Sequence, residues 1–206
     1  EIVPVPAEQA GSDAIAIELS YTSADGEEGY PGEVRLTLRY TLSTSANTWR
    51  IDYSAIADKP TVLNLSHHDY FNLAGRGSAM DHVLTLPAGR FNPVDADLIP
   101  TGIADVAGTP FDFRAPTRIG ARLADGHPQL ALGGGYDHNW ILDDTRQGTL
   151  RLAARLEDPS SGRAMELHTT EPALQFYSGN FLDGSLVGRD GEACQRGDAV
   201  CLEPQH

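Results

Sequence analysis

Three stretches that lie far apart in the chain each contain a side chain that can move or position a proton. They are residues 64–73 with His68, residues 135–140 with Asp137, and residues 201–206 with Glu203. One imidazole and two carboxylates near the ends of strands are the groups that acid–base chemistry on a neutral, hydroxyl-rich substrate requires. Little else in the sequence points to chemistry, so these residues are the candidate site.

Two of these residues also have a structural interpretation when each is considered alone. His68 follows His67, and neighbours on a strand face opposite sides, so only one of the two histidines can line a pocket. A surface or hydrogen-bonded structural histidine is the alternative for His68. Asp137 follows the glycines at 133–135, which let the backbone come close to a ligand. An aspartate after glycines also commonly caps its own turn. We expect the next residue, His138, to be structural.

Glu203 follows the apolar run 199–202, at what we interpret as the end of a buried strand. Partial desolvation there would raise the pKa of its carboxyl group and suit it as a base near neutral pH. A solvated glutamate at the end of a strand is the alternative, and the residues alone leave both interpretations open.

Several other kinds of site are disfavoured because their sequence patterns are missing. Residues 25–32 contain three acidic side chains without the spacing of a calcium loop, which favours a tight acidic turn. The chain has no zinc-binding histidine pair with a glutamate, no Gly-x-Ser-x-Gly elbow and no phosphate-binding glycine loop.

Cys194 and Cys201 fit neither a zinc ribbon nor a redox pair, and two reduced thiols are favoured over a disulfide. We therefore expect proton transfer with no metal and no cofactor.

The charge and the hydrophobic pattern of the chain limit its partners. The 206 residues carry a net charge of −14 and a single lysine, Lys59, whereas a nucleic-acid partner would require a basic surface. The sequence has no run of about 18 apolar residues that could span a membrane. It opens at Glu1 with no recognisable signal peptide. We expect a cytoplasmic protein, or a periplasmic or secreted one if a signal peptide was removed.

Alternation of apolar and polar residues dominates the chain and predicts strands. Runs with a period of two cover residues 15–21, 34–40, 49–53, 150–156 and 165–169. The 21 glycines and 13 prolines fall between such runs as turns. Only residues 116–125 are expected to form a turn or two of helix. Many short antiparallel strands predict one all-β domain over 1–206, a β-sandwich or barrel.

Taken together, these stretches resemble the aldose 1-epimerase (galactose mutarotase) family. Seven phrases match in the order of the family, namely residues 25–32, 59–73, 99–102, 108–114, 135–140, 175–184 and 201–205. One such phrase alone would be a weak signal, but seven in order, spread across nearly the whole chain, are a strong one.

The resemblance implies a large antiparallel β-sandwich, the galactose mutarotase-like supersandwich, and interconversion of the α and β anomers of free hexoses of the glucose or galactose type. It implies that His68 is the general acid, that Glu203 is the general base and that Asp137 binds the sugar. Gln175 falls in a phrase near the sugar site and is a further candidate for substrate binding. The implied partner is a free aldohexose, and the oligomeric state is open.

The chain departs from the family pattern in three ways. His67 stands where the family usually has asparagine, and Asp69 where it has serine or threonine, so Asp69 is expected to have a modest effect on His68. Pro204 replaces a residue able to donate a backbone hydrogen bond, and we expect it to end the ladder at Glu203. Family members are also longer, so we expect an incomplete sandwich that lacks their N-terminal strands and the C-terminal strand segment after His206. The first site histidine and a sugar-contacting arginine of the family are expected to lie in the N-terminal part.

Two alternative functions remain at this point. A domain of the same fold that binds carbohydrate or acts as a scaffold without turnover is one, because fold alone does not assign function. An epimerase for phosphorylated hexoses is the other. It would need basic residues to hold the phosphate group, and a strongly acidic chain with one lysine offers few of them.

Overall fold

The structure, a computed structural model, describes residues 1–6, 10–11, 13–143, 148–188 and 191–206. It consists of two compact units, Glu1–Leu65 and Ser66–His206. The prediction of a single domain over 1–206 stays a prediction. Within the described residues, none of the helices has both the length and the hydrophobicity that crossing a bilayer requires.

The first unit contains one antiparallel sheet of four strands in the order β1-β2-β3-β4. Its strands are β1 (Ile2–Val5), β2 (Ala14–Ser23), β3 (Val34–Ser43) and β4 (Trp49–Ala57). The predicted strands at 15–21, 34–40 and 49–53 are thereby confirmed.

One face of this sheet is apolar and open. Ile15 lies opposite Leu42 and Tyr21 opposite Leu36 in the register of β2 and β3, so these side chains share a face. The alternating pattern predicts that this face is covered, yet Ile15 is 61% and Tyr21 is 55% exposed. We refer to it as the apolar face of the first sheet, and its most exposed members on β2, β3 and β4 are Ile15, Ile17, Tyr21, Leu42 and Trp49.

The acidic segment between β2 and β3 forms the predicted tight turn. A 3₁₀ turn covers Glu27–Gly29. The Asp25 carboxylate accepts a hydrogen bond from the Gly32 backbone N–H at 2.6 Å and pairs with the ammonium group of Lys59. Those two donors hold the pKa of Asp25 below its usual range, so the carboxylate closes the turn.

The second unit contains two further antiparallel sheets. Their strand orders are β11-β10-β5-β8 and β13-β12-β9-β6-β7. The strands are β5 (Val83–Thr85), β6 (Arg90–Phe91), β7 (Ala104–Asp105), β8 (Thr117–Arg118), β9 (Asp137–Ile141), β10 (Arg151–Asp158), β11 (Arg163–Thr169), β12 (Ala173–Tyr177) and β13 (Cys201–Gln205). The all-β fold class is confirmed.

A single hydrophobic core joins these two sheets into a sandwich. Leu84 and Leu156 from one sheet belong to the same buried cluster as Trp140, Phe176 and Leu202 from the other. Because neighbouring residues of a strand point to opposite faces, burial of these side chains turns the alternate residues of β9, β12 and β13 away from the core.

The strand predicted from the alternation at 150–156 is interrupted. The register between β10 and β11 shifts between Leu152 and Ala154, which is a β-bulge that adds one residue to β10. As a result Leu152 is 39% exposed whereas Ala154 and Leu156 are buried. The prediction that all four apolar residues of this run share one face was wrong, because the bulge changes the phase of the alternation.

The helical prediction was only partly right. Within 116–125 the structure has a 3₁₀ turn at Ile119–Arg122, but a separate α-helix, α1, covers Pro128–Gly133. His127 caps this helix by accepting a hydrogen bond from the Gln129 N–H, and Gly134 ends it in the left-handed conformation. Proline at the first position and glycine after the last are a recognisable sequence signal for these two ends.

Candidate active site

A row of polar side chains crosses the outer face of the second unit's five-stranded sheet. Gln175 on β12 lies opposite Glu203 of β13 on one side and opposite Asn139 of β9 on the other. The residues that precede Glu203 and Asn139, and the one that follows Gln175, point into the core. The alternation of each strand therefore delivers these three polar groups to the same surface.

Asp137 lies one step along the same surface and is held by Gln175. Asp137 is opposite Tyr177, which is in turn opposite Cys201, so these three residues share the face of the polar row. The Gln175 Nε2 donates to Asp137 Oδ1 at 2.8 Å. The structure thus brings together the two residues predicted to bind the substrate, and one carboxylate oxygen of Asp137 remains for another donor.

His68 reaches this surface from a segment outside the regular strands. Phe71 and Val200 form an isolated antiparallel pair with hydrogen bonds of 2.7 and 3.0 Å in the two directions. Continuing the register of this pair for three residues brings His68 opposite Glu203. The His68 Nε2 lies 3.6 Å from Glu203 Oε1, so the predicted acid and base face each other.

The two adjacent histidines point to different environments, as predicted. The side chain of His68 is 55% exposed and that of His67 is 11% exposed. His67 Nδ1 lies 2.9 Å from Asp69 Oδ2, so the carboxylate that distinguishes this chain from the family pattern pairs with His67. His68 instead packs against the rings of Tyr70 and Tyr177, at centroid distances of 5.1 and 6.2 Å.

Burial shapes the acidity of both carboxylates. It raises the pKa of Glu203 above its usual range, and the charge of Asp137 adds to the rise while that of His68 opposes it. Burial likewise raises the pKa of Asp137, against the hydrogen bond from Gln175. The direction predicted for Glu203 is confirmed, because only 16% of its side chain is exposed.

Pro204 does not end the strand that carries the base. β13 continues to Gln205, and Pro204 lies opposite Leu174 of β12. The prediction was wrong because β13 is the first strand of its sheet within the described residues. Proline is tolerated on such a strand, where its missing N–H faces away from the neighbour.

The glycines before Asp137 serve packing within the protein. Gly135 has φ +148°, and a Cβ atom there would lie 2.2 Å from Asn180 Oδ1. The Asn180 Nδ2 donates to the carbonyl oxygens of Gly133 and Tyr136. The close approach that the glycines permit is therefore to the Asn180 side chain, which fixes the backbone just ahead of Asp137.

His138 is structural, as predicted. It is buried, and its Nδ1 accepts a hydrogen bond from the Asp137 backbone N–H at 3.1 Å. Its Nε2 lies 3.1 Å from Gln129 Oε1, which requires the proton on Nε2. Burial lowers the pKa of His138 to about 4, so it stays neutral and orients the start of β9.

Three amide side chains extend the polar row and were not predicted from the sequence. Gln205 Nε2 donates to Asn139 Oδ1 at 3.0 Å, and Asn139 Nδ2 donates to Asn92 Oδ1 at 2.7 Å. Asn139 and Gln205 lie two residues beyond Asp137 and Glu203. A period of two places them on the same face, and that signal was available in the sequence.

A cavity of about 300 Å³ opens beside this row. Asp137, Gln175, Asn139 and Gln205 line its polar side, and it falls at the small end of the usual volumes of small-molecule sites. His68 and Glu203 lie past Gln175, just beyond its lining. Its remaining lining residues are Asn92, Val94, Leu98, Pro100, His138 and His206.

Known proteins resemble this chain in sequence and in fold. A sequence model of the family described as aldose 1-epimerase matches residues 7–206. Galactose mutarotase of Bos taurus is 45% identical over 192 residues, which are 92% of this chain and 54% of that protein. Aldose 1-epimerase of Escherichia coli strain K12 is 41% identical over 167 residues, which are 80% of this chain and 47% of that protein.

A solved structure agrees with these matches. The crystal structure of galactose 1-epimerase from Lactobacillus acidophilus NCFM has a TM-score of 0.85 and 32% sequence identity, and the match covers 100% of this chain and 57% of that chain. This chain spans about half the length of the curated relatives it matches, 54% for the bovine protein. The family match runs through both compact units and through all three stretches that hold His68, Asp137 and Glu203. The chain belongs to the aldose 1-epimerase family.

Proposed function

We propose that the protein is an aldose 1-epimerase, which interconverts the α and β anomers of free hexoses of the glucose or galactose type. The observation that carries the proposal is the distance of 3.6 Å between His68 Nε2 and Glu203 Oε1. An acid and a base this close can serve two oxygen atoms bonded to one carbon, and the anomeric carbon of a cyclic sugar has that arrangement.

Ring opening uses both groups at once. The Glu203 carboxylate takes the proton of the C1 hydroxyl, the C1=O bond forms and the bond from C1 to the ring oxygen breaks. The protonated imidazole of His68 gives its Nε2 proton to the ring oxygen as that bond breaks. The products are the open-chain aldehyde, a protonated Glu203 and a neutral His68, so the reaction needs no oxidant or leaving group.

Ring closure reverses the two roles. The aldehyde rotates about its C1–C2 bond and presents the other face of C1 to the hydroxyl group that was formed from the ring oxygen. Neutral His68 then takes the proton of that hydroxyl as its oxygen attacks C1, and Glu203 returns its proton to the carbonyl oxygen. Both side chains recover their starting protonation states, which makes the cycle catalytic.

The surrounding groups support these roles. His68 Nε2 and Glu203 Oε1 are too far apart for a normal hydrogen bond. Both atoms therefore remain available to bind the sugar. The raised pKa of Glu203 brings a carboxylate closer to the acidity that a base needs near neutral pH. Asp137, held by Gln175, offers an acceptor for a sugar hydroxyl.

Polarimetry tests the proposal directly. Freshly dissolved α-D-glucose or α-D-galactose should approach its equilibrium rotation faster with the protein than in buffer alone. A rate equal to that of the buffer, measured with folded protein, would contradict the proposal. Sugar binding detected by calorimetry without a faster rate would instead favour a carbohydrate-binding domain of the same fold.

A further inference from the structure

The acid–base pair has a third neighbour with a different chemistry. Cys201 and Glu203 alternate on β13 and therefore share a face. One ligand atom each of His68, Cys201 and Glu203 lies within 4.8 Å of the others. The proposed proton-transfer cycle does not use the thiol of Cys201, although it lies beside both reacting groups.

The three side chains form the donor set of a zinc-type metal. Imidazole nitrogen, thiolate sulfur and carboxylate oxygen are all zinc ligands, whereas magnesium and calcium prefer oxygen alone. Bonds of about 2.0 to 2.3 Å place the ligand atoms of a tetrahedral zinc site roughly 3.5 Å apart. His68 Nε2 and Glu203 Oε1 already have a spacing of 3.6 Å.

The charge around the thiol also favours a cation. Burial raises the pKa of the Cys201 thiol, and the negative charges of Glu203, Asp69 and Asp137 raise it further. Cys201 is buried and forms no disulfide, so its sulfur faces these groups as a free thiol. A divalent ion bound here would reduce the repulsion among these negative groups.

We propose that His68 Nε2, Cys201 Sγ and the Glu203 carboxylate form an inhibitory binding site for zinc-type divalent ions. The ion is coordinated by the two groups that would exchange protons with the sugar, His68 Nε2 and the Glu203 carboxylate. A protein with bound metal therefore cannot open the sugar ring. The metal has no part in the reaction, and sugar and metal compete for one place. The inhibition rests on the proposed function, whereas the binding does not.

Cobalt(II) absorption tests the binding alone. Titration of the metal-free protein should give a thiolate-to-cobalt charge-transfer band in the near ultraviolet and the visible bands of tetrahedral cobalt. Cys201→Ser should lose the charge-transfer band and bind at least about tenfold more weakly. The matched control is Cys194→Ser, which changes the other free cysteine and should leave both signals unchanged.

Zinc inhibition tests the consequence. Zinc ions should slow mutarotation in the wild-type protein and in Cys194→Ser, the chelator EDTA should restore the rate, and added galactose should weaken the inhibition. In Cys201→Ser or Cys201→Ala, whichever folds by circular dichroism, zinc should inhibit at least about tenfold less well. Equal inhibition of wild type and a folded Cys201 variant would overturn the proposal, as would a cobalt complex without a thiolate band. If no mutarotation is found at all, the cobalt spectra still decide whether the site exists.

Discussion

At the residue scale, the separation between His68 and Glu203 determines what the pair can do. The two atoms are close enough to serve one hemiacetal carbon, yet they lie farther apart than a normal hydrogen bond. The Nε2 of Gln175 donates its hydrogen bond to Asp137 and not to Glu203. In the proposed mechanism the site therefore divides into a pair that moves protons, His68 and Glu203, and a pair that holds the sugar, Asp137 and Gln175.

Replacing the base should remove most of the activity. Glu203→Gln keeps the shape of the side chain but cannot accept the C1 proton, so kcat should fall by about 10²- to 10⁴-fold. Polarimetric rates measured with saturating, freshly dissolved sugar determine this change in kcat. The matched control is Glu157→Gln, which alters a half-buried glutamate paired with Arg155 on β10 and should retain the wild-type rate. A loss below about tenfold for Glu203→Gln would assign the base elsewhere.

The raised pKa of Glu203 gives a signed prediction for pH dependence. The carboxylate must be ionised to act as a base, so kcat/KM should fall as the pH drops through the pKa of Glu203. Because burial raises that pKa above the ordinary value of 4.5, the acidic limb should lie at higher pH than for a solvated glutamate. A limb at or below the ordinary value would contradict the burial argument.

The Asp137 charge should contribute to the position of the same limb. Asp137 raises the pKa of Glu203, so Asp137→Asn should shift the acidic limb of kcat/KM toward lower pH while it weakens sugar binding. A pH profile of the variant, fitted independently of its lower overall rate, provides the measurement. An unshifted limb would mean that the two carboxylates do not interact.

At the residue scale, alternation in the strands explains what was predictable. The sequence resemblance identified His68, Asp137, Gln175 and Glu203, and the structure places them on one surface. The amides of Asn139 and Gln205 were missed, although they occupy the next outward positions on β9 and β13. Their hydrogen bonds join residues 66 positions apart, and no local pattern reveals such a partner.

At the scale of elements, the long alternating strands were predictable and the short ones were not. β6, β7 and β8 have two residues each, which is too few for a period of two to be seen. The bulge in β10 changed the phase of the alternation at Leu152. The strand β13 extends through Pro204 because, among the described strands, β13 has a neighbour on one side only, and such a strand does not need that N–H.

The turn before β9 should be sensitive to a single methyl group. In Gly135→Ala the new Cβ would collide with Asn180 and Ser178 in a backbone conformation that L residues rarely adopt, at a cost of about 2 to 4 kcal/mol. Urea unfolding measures the loss, and KM should rise because Asp137 lies two residues later.

The control for this variant is Gly126→Ala. Gly126 also has a positive φ of +68°, but nothing lies within 4 Å of the added Cβ. It should lose only about 1 to 2 kcal/mol from backbone strain. Equal losses in the two variants would show that contact with Asn180 is unimportant.

At the scale of the whole molecule, a strongly acidic chain carries an open apolar surface. The apolar face of the first sheet exposes large side chains on three adjacent strands, while the net charge of −14 opposes close approach of two copies. Exposed apolar patches of this kind favour association. Added salt should favour association, because it screens the repulsion between the negative charges of two copies and leaves the hydrophobic attraction in place.

A protein of these 206 residues should therefore associate more at high salt. Sedimentation velocity should show larger species as the sodium chloride concentration rises, and Ile15→Thr combined with Tyr21→Thr should reduce them. Ser20→Thr is the matched control, because Ser20 is adjacent to Tyr21 on β2 and points to the opposite face. Association that weakens with salt would indicate that charge, and not the apolar face, holds the copies together.

The pairing of Phe71 with Val200 determines which side chain faces Glu203, and that choice depends on the number of residues that precede Phe71 in the segment. This pair sets the register of the segment against the start of β13, and Asn72 Nδ2 also donates to the carbonyl oxygen of Asp198, so the residue three positions before Phe71 is the one that meets Glu203. Deleting one residue at 69 or 70 would bring His67 to that place, and an imidazole would still face the base. Inserting one residue there would bring Asp69 instead, and two carboxylates would then oppose each other. Although the segment has no regular secondary structure, its length should tolerate change far less than its appearance as a loop suggests.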